Sequence, residues 1–465
     1  MTKRQPLDDC LIGKERWNRE REALIERAGL GDLVDAGKVL AELDDALHRQ
    51  YVSTDKRIAD GANPLFRRSA RHHVTIATPS KNEDGDETDA EPLWPLLPGR
   101  HVVPLPEVLA TVNSHAAFST GCRPWQQTRQ HAVGVRAIFA AVMGLGCGIG
   151  VRRMARIAQG ISKAELERAV TWRLSLDSVQ AANDRVIRLS AGLDLPQVCR
   201  RDPDRLHTAS DGQTFAVRKA SLNANHSFKH FGKGQGVSAC TFTDERQPLW
   251  HSLVMSAAER ESAYVVDGLM RNDVVRSDIH STDSHGYAEA IFAVNHLLGI
   301  SYAPRIKNIG DQTIYGFRSR SGGDRSRWAI APDKLVREDL VVARWDDVLR
   351  LIATIKLKEA TASDIFRRLN SYAEQHEHYR ALKTFGHVIK TLFVLRYVDE
   401  VDLRQAIEQR LSRIELAHRF THDVAVGNPR EFEQTDKESR RLPRTATGSS
   451  RTPSSAGTAC TLSTG

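Results

Sequence analysis

The sequence predicts an α/β fold in which a mixed sheet is flanked by helices and preceded by a mainly helical region. Three observations support this class. Between residues 205 and 332, short apolar runs are separated by turn residues, as in strands. Within this stretch, a strand, a helix and a second strand follow one another over residues 274–306, which is the order of a sheet covered by helices. On both sides of it, apolar residues recur at helical spacing.

The region before the sheet is predicted to be helical in two parts. Residues 1–60 and residues 104–204 both place aliphatic side chains at helical spacings among charges. Ser162 followed by Glu165 is a typical helix-start signal in the second part. Between the two parts, residues 61–103 combine a basic patch, an acidic run and several prolines. This composition indicates a charged linker or exposed loop.

The first strands of the sheet are predicted from alternating apolar runs and turn residues. Residues 206–217 indicate strand, turn and strand, with Asp211 in a Ser-Asp-Gly-Gln turn. Residues 236–243 and 248–254 flank a polar turn, which predicts a hairpin.

A strand-to-helix turn follows at Asp283. Residues 274–279 predict a strand that runs into this turn, and the helix after it is expected to reach Leu298, where Gly299 ends it. A last strand is expected around residues 302–306.

The remainder of the chain is predicted to be helical and then disordered. Residues 333–410 return to helical spacing, and a final helix is expected over roughly 404–426, before Gly427-Asn428-Pro429. Beyond Lys437 the composition is rich in Ser, Thr, Pro and Arg and cannot bury enough apolar surface to fold alone. The predicted segments are therefore 1–60, 61–103, 104–204, 205–332, 333–410, 411–437 and 438–465.

Composition restricts the class of protein more than its function. The net charge of +8 comes from 66 Lys and Arg against 58 Asp and Glu, and it is equally compatible with polyanion binding and with an arginine-rich surface. The six cysteines never form a C-x-x-C pair, which argues against a zinc site and a disulfide framework. Neither a signal peptide nor an apolar run of about 18–20 residues is present, so we expect a cytoplasmic protein without a membrane span.

Three carboxylates stand out as candidate metal ligands. Asp211 and Asp283 follow strands, and Glu415 lies beside the apolar row of the final helix. Oxygen ligands of this kind suit Mg²⁺, and two such ions about 3.5–4 Å apart can activate an attacking oxygen and stabilise a leaving oxygen in phosphoryl transfer. Each residue also has a simpler interpretation, since Asp-Gly is common in turns and a helical Glu is usually a solvated surface residue.

Other polar residues could contact a phosphate backbone. His285, two residues after Asp283, could bind phosphate or metal or could pack locally in the turn. Lys229, Lys233 and Arg218 lie in a glycine-containing stretch before the hairpin, and they could contact DNA or could be ordinary exposed cations.

Three ordered motifs closely resemble the transposases of the Tn-three transposon family. The first is Ala209-Ser210-Asp211-Gly212-Gln213. The second runs from Ser281-Thr282-Asp283-Ser284-His285-Gly286-Tyr287 through His296-Leu297-Leu298-Gly299 to Ala303-Pro304-Arg305-Ile306. The third is Leu411-Ser412-Arg413-Ile414-Glu415, in which Ile414 stands where a Gly is commoner. The resemblance covers roughly residues 104–437.

The resemblance implies a ribonuclease-H-like catalytic core with a DDE triad of Asp211, Asp283 and Glu415 that binds two Mg²⁺ ions. A helical insertion would occupy residues 333–410. Such enzymes nick the 3′ ends of the element at its terminal inverted repeats, and the freed 3′-OH then attacks target DNA. The implied partners are therefore these two DNAs, bound by a homodimer. The residues expected to contact DNA are His285, Arg305, Lys229 and Lys233.

Two departures from the family leave alternatives open. Family members are about twice as long and carry N-terminal domains that recognise the inverted repeats. The low-complexity residues 439–465 are expected to result from a frameshift, the alternative being a disordered basic arm that contacts DNA. The alternatives to an active transposase are a decayed, catalytically inactive DNA-binding fragment and a two-metal nuclease on the same fold.

Overall fold

The computed structural model describes the chain in ranges that leave out the two ends and several internal segments. The described residues are 7–68, 74–77, 103–124, 133–217, 225–226, 235–257, 259, 261–284, 288–318, 328–371, 377–426 and 431–432. The chain divides into two compact units, neither of which is continuous in sequence. The first unit comprises Met1–Lys81, Ser262–Arg271 and Asp278–Gln409, and the second comprises Asn82–Glu261, Asn272–Ser277 and Arg410–Gly465.

Helices account for most of the described elements. They are α1 Lys14–Arg27, α2 Ala36–Ala59, α3 Leu105–Ala116, α4 Val135–Gly146, α5 Val151–Ile157, α6 Lys163–Arg173, α7 Leu176–Ala191, α8 Asp194–Val198, α9 Glu261–Met270, α10 Glu289–Leu297, α11 Glu338–Ala343, α12 Trp345–Lys356, α13 Ala362–Ser371, α14 Glu377–Asp399 and α15 Val401–Val424. Short 3₁₀ turns lie at Leu7–Cys10, Gly31–Leu33, Phe118–Gly121 and Ile309–Asp311.

Strands are shorter and concentrate between residues 207 and 302. They are β1 Phe66–Arg68, β2 Val74–Ile76, β3 His207–Val217, β4 Asn225–His226, β5 Gln235–Asp244, β6 Leu249–Ser256, β7 Ile279–Ser281, β8 Ser301–Tyr302, β9 Tyr315–Gly316, β10 Lys334–Leu335 and β11 Glu431–Phe432.

In the first unit, the long helix α14 forms the centre of the packing against α10 and α2. Gly386 of α14 lies so close to α10 that a Cβ atom there would be 1.9 Å from the carbonyl oxygen of Glu289. Strands β7 and β8 pair in parallel, with Ile279 opposite Ser301 and His280 opposite Tyr302. Helix α10 packs against β8. Because the two strands are parallel, the residues that follow β7 and β8 lie at one edge.

In the second unit, a group of helices from α3 to α7 shares one apolar core, to which Leu109, Ile138 and Leu166 contribute. The strands β3, β5 and β6 form an antiparallel sheet. β11 adds to β3 in parallel and β4 adds to β5 in antiparallel orientation. The sheet is therefore mixed, and the predicted class of a mixed sheet with flanking helices is confirmed.

One predicted turn is wrong. Residues 207–217 form a single strand instead of strand, turn and strand, and β3 pairs with β5 without interruption from Thr208 to Ala216. The Asp211-Gly212 pair is a local turn signal, but the ladder of backbone hydrogen bonds to β5 outweighs it because β5 is long enough to pair with both halves.

The strand before Asp283 is also shorter than predicted. β7 begins at Ile279, whereas residues 274–279 were expected to be extended. The backbone amides of Val274 and Val275 donate to the side-chain oxygen of Asn272 at 3.3 and 2.7 Å. This local hydrogen bonding occupies the amides that a strand would pair with its neighbour.

Other local predictions are confirmed. The hairpin of β5 and β6 forms where expected, and Ser162 caps α6 by accepting from the amide of Glu165 at 3.1 Å. Gly299 ends α10 with φ of 83°, a conformation that favours glycine. Within the predicted linker, β1 and β2 pair as a short antiparallel hairpin. The predicted disordered tail, 438–465, lies outside the described residues.

None of the helices among the described residues is both long enough and apolar enough to cross a lipid bilayer.

Candidate active site

Asp211 lies near the middle of β3, directly opposite Thr241 of β5. The hydroxyl Oγ1 of Thr241 is 3.4 Å from the carbonyl oxygen of Asp211. The Asp211 side chain is 24% exposed, so its carboxylate is accessible although the strand around it is largely buried.

His418 of α15 connects this strand pair to the final helix. Its Nδ1 atom is 3.5 Å from Oδ2 of Asp211, and its Nε2 atom is 2.5 Å from Oγ1 of Thr241. The His418 side chain is only 5% exposed, so both contacts are shielded from water. Because one imidazole touches both members of the cross-strand pair, the direction of the Asp211 carboxylate is set by the helix as well as by the strand.

A second carboxylate lies against the backbone next to Asp211. A Cβ atom added at Gly212 would be 1.3 Å from Oε1 of Glu261, at the start of α9. Gly212 is therefore required for this close approach and not for a turn. Glu261 adds negative charge beside the Asp211 segment, and like charges held close together favour a bound cation.

Glu415 lies on α15 one turn before His418. The buried row of this helix comprises Leu411, Ile414, Ala417, His418 and Thr421. Glu415 itself is exposed. Ile414 is fully buried, so the residue that replaces the commoner Gly of the third motif contributes to the packing of the helix.

Asp283 and Arg305 lie in the first unit, at the carboxyl ends of two parallel strands. Beyond β7 and β8 the backbone pairing continues, since Ala303 N donates to His280 O at 2.8 Å and Arg305 N donates to Thr282 O at 2.9 Å. Asp283 and Arg305 are thus held beside each other by the extended strand pair.

The predicted site residues fall into three groups. Asp211 and Glu415 belong to the second unit, whereas Asp283 and Arg305 belong to the first. His285, Lys229 and Lys233 lie outside the described residues. Within the ranges that the structure describes, no three or more His, Cys, Asp or Glu side chains are arranged as a ready-made metal site.

The donor chemistry nevertheless suits a hard divalent cation. Asp211, Asp283, Glu415 and Glu261 all offer carboxylate oxygens, which Mg²⁺ prefers, and the Asp211 carboxylate is partly exposed. The residues therefore fit Mg²⁺ by type, while the described atoms do not assemble its full coordination.

Sequence reasoning missed His418, Thr241 and Glu261. His418 carried a signal, because it lies three residues after Glu415 and on the buried side of the helix, where a polar residue needs a partner. Thr241 and Glu261 carried no such signal, since only the strand register and the start of α9 place them next to the Asp211 segment.

His207, at the start of β3, has a strongly perturbed pKa. Burial, reinforced by the cations Arg410, Arg201 and Arg205, lowers the pKa of His207 to about 3. Its backbone amide donates to Glu245 at 3.4 Å. The imidazole is therefore neutral near pH 7.

Comparisons with known proteins agree with the motifs. The sequence pattern of the Tn3 transposase DDE domain matches residues 107–446. The chain is 27% identical over 298 residues to the transposase for transposon Tn1546 of Enterococcus faecium, covering 64% of this chain and 30% of that protein.

Two further relatives show the same pattern. The transposase for transposon Tn2501 of Escherichia coli is 28% identical over 355 residues, covering 75% of this chain and 34% of that protein. The transposase for transposon gamma-delta of Escherichia coli (strain K12) is 23% identical over 452 residues, covering 93% of this chain and 44% of that protein. The chain thus spans between about a third and a half of the length of these relatives.

Proposed function

The chain belongs to the family of Tn3 transposase DDE domains, and from this premise we propose that it is the catalytic part of a DNA transposase. Its reaction is cleavage of DNA at the ends of a transposable element and transfer of the freed 3′ end to target DNA. The observation that carries the proposal is the Asp211 carboxylate, fixed by His418 and Thr241 at an accessible position within the matched domain.

Asp211, Asp283 and Glu415 are proposed to hold two Mg²⁺ ions. When bound, these ions supply an activated oxygen nucleophile and stabilise the leaving oxygen of the phosphodiester. The chain's own residues orient these carboxylates. His418 and Thr241 fix the direction of Asp211, and the paired backbone of β7 and β8 fixes the segment that carries Asp283.

DNA is the proposed substrate and partner. Arg305 lies beside the Asp283 segment, where a cation can contact a phosphate. His285, Lys229 and Lys233 are proposed to add further backbone contacts. The DNAs are the terminal inverted repeats of the element and a target, bound by a homodimer, and the reaction belongs in the cytoplasm at the nucleoid.

A second candidate function is DNA binding without chemistry. It is favoured by one observation, that the described residues contain no ready-made cluster of metal ligands. A decayed fragment of this kind would bind DNA in the same way in the presence and absence of Mg²⁺.

The test uses the full chain and duplex DNA that carries the ends of its own element. We expect Mg²⁺-dependent nicking and joining, abolished by Asp211→Asn, Asp283→Asn or Glu415→Gln with little change in DNA affinity, since phosphate contacts dominate affinity. Asp339→Asn is the matched control, because this carboxylate is 77% exposed and belongs to α11.

The outcomes separate the alternatives. Cleavage that persists in a variant with all three substitutions would refute the triad. Cleavage without joining would identify a nuclease. DNA binding without any chemistry, unaltered by Asp283→Asn, would identify the inactive fragment.

A further inference from the structure

A cavity of about 760 Å³ opens beside Asp283 within the first compact unit. Asp283 and Ser284 line it together with the segment Arg305–Asp311, β2 with Ala77, and residues at the junction of α14 and α15. Sites for small molecules typically span about 300–1,000 Å³. The cavity is therefore of a size that suits one nucleotide.

Three cations line the cavity. Arg305 is 37% exposed and lies 3.4 Å from Glu408, and Lys307 is exposed. Arg404 is 2% exposed and donates through Nη1 to the carbonyls of Tyr397 and Val398. The Nε and Nη2 atoms of Arg404 have no hydrogen-bond partner among the described residues. These cations favour an anionic group in the cavity.

Three carboxylates line the same cavity, namely Asp283, Asp311 and Glu408. A free inorganic anion would pair with the cations but would offer no hydrogen-bond donor to these carboxylates. A nucleotide matches both the cations and the carboxylates. Its phosphate is an anion, and its base carries N–H groups that can donate hydrogen bonds to a carboxylate. The lining therefore selects a ligand that combines an anion with hydrogen-bond donors.

The backbone fixes where such a phosphate would lie. Arg305 N donates to Thr282 O at 2.9 Å, so Arg305 is held next to the residue that precedes Asp283. A phosphate bound by Arg305 would thus lie next to the carboxylate that we propose as a metal ligand.

We propose that this cavity binds one unpaired nucleotide of the DNA strand that is being processed, with its phosphate at Arg305 and Lys307. Extruding a single nucleotide from the base stack into a protein pocket costs free energy and is least costly where the base is already unpaired. The inference rests on the proposed function for the role of Asp283. The Glu408 carboxylate, which already pairs with Arg305, competes with the incoming phosphate.

The test measures binding without catalysis. Fluorescence anisotropy with labelled (dT)₈, in EDTA and without divalent metals, follows affinity for a single strand, and a labelled GC-rich hairpin, whose stem stays paired under these conditions, serves as the duplex comparison. We expect tighter binding of the single strand. Lys307→Glu is expected to weaken it roughly tenfold, because it replaces a phosphate contact with repulsion. Glu408→Gln is expected to strengthen binding of the single strand, because it removes the carboxylate that pairs with Arg305.

The matched controls are Lys38→Glu and Glu42→Gln, which make the same changes of charge on α2 of the same unit, where the side chains are 65% and 69% exposed. The affinity of both control variants should equal that of the unchanged chain. Equal effects at the control positions, or preference for the duplex, would overturn the proposal.

Photo-crosslinking locates the bound strand independently. An oligonucleotide with 5-iodouracil in place of one thymine is expected to crosslink to the segment 305–311 or to Tyr397. Crosslinks confined to the second unit would overturn the cavity assignment. Because neither measurement contains a divalent metal, failure of DNA cleavage and failure of nucleotide binding can be distinguished.

Discussion

At the scale of single residues, the site depends on contacts between positions far apart in the chain. His418 and Asp211 are separated by about two hundred positions, yet their side chains are 3.5 Å apart, and Thr241 completes the contact. Gly212 allows the approach of Glu261, which any side chain at that position would block. The carboxylate of Asp211 therefore has a fixed direction before any ligand binds.

His418→Ala is expected to weaken Mn²⁺ binding and Mg²⁺-dependent nicking by about 10–100-fold, because partners that orient metal ligands contribute at this level. His418→Asn, which keeps a polar group near the position of Nδ1, should restore part of both. Titration calorimetry with Mn²⁺ measures the affinity independently of cleavage.

The control for this substitution is His422→Ala, on the same helix and 48% exposed. Thr241→Val provides a second variant, which removes the contact to Nε2 and the contact to the Asp211 carbonyl but leaves Nδ1 beside the Asp211 carboxylate. If His418→Ala and His422→Ala bound Mn²⁺ equally well while both remained folded, His418 would have no role in positioning Asp211.

At the scale of elements, buried polar side chains join segments that are distant in sequence. Asp267 of α9 accepts from the backbone amide of Ala362 at 2.6 Å and from that of Ser363 at 3.3 Å, and it is 9% exposed. It therefore caps the first turn of α13 from another helix. Burial raises the pKa of Asp267, while the amides of Ala362 and Ser363 oppose this rise.

Asp267→Ala is expected to lower the free energy of unfolding by about 1–3 kcal/mol, because it leaves buried amide donors without an acceptor. Asp267→Asn keeps an acceptor oxygen and should cost less. Hydrogen exchange of the Ala362 and Ser363 amides reports the cap directly, and it should accelerate in Asp267→Ala.

The comparison variant is Asp35→Ala, which removes the side-chain cap of α2, an exposed contact to Gly37 and Lys38. It should leave exchange at α13 unchanged. Unaltered protection of Ala362 and Ser363 in Asp267→Ala would contradict the capping role.

At the scale of the whole molecule, two histidines with lowered pKa values, His207 and His387, make stability depend on pH, one in each unit. The pKa of His207 is lowered to about 3, and burial and nearby lysines lower the pKa of His387 to about 4, although Glu289 opposes this. In each case the unfolded chain binds a proton more readily than the folded chain does. The contribution of these groups to the free energy of unfolding is therefore fully present above pH 6.5, the pKa of histidine in the unfolded chain. It is lost as the pH falls below that value.

For His207 alone, the free energy of unfolding is expected to fall by about 1.4 kcal/mol between pH 7.5 and pH 5.5. The lower pH lies one unit below the pKa of histidine in the unfolded chain. His207→Gln should reduce this dependence by that amount. Urea unfolding at the two pH values measures it, and the exposed His422→Gln is the control. An unchanged difference between the two pH values in His207→Gln would show that His207 is accessible to protons in the folded chain.

The sequence by itself determined the local elements. The hairpin of β5 and β6, the cap at Ser162 and the end of α10 at Gly299 all follow from contacts within a few residues, which a linear pattern records. The class of fold could also be predicted, because strand and helix spacing repeats along the chain. The three acidic motifs were recognised by their resemblance to the transposase family, which spacing alone does not show.

Only the tertiary structure determined how these elements pair and which of their side chains are in contact. The Asp211-Gly212 pair predicts a turn, but pairing with β5 keeps it within one strand. The close approach of Glu261 explains why residue 212 is a glycine. The contact of His418 with Asp211 and Thr241 joins a helix to a strand pair from a distant part of the chain. Such contacts depend on how elements pack against one another. A local sequence pattern does not predict them, because the two residues of each contact are far apart in the sequence.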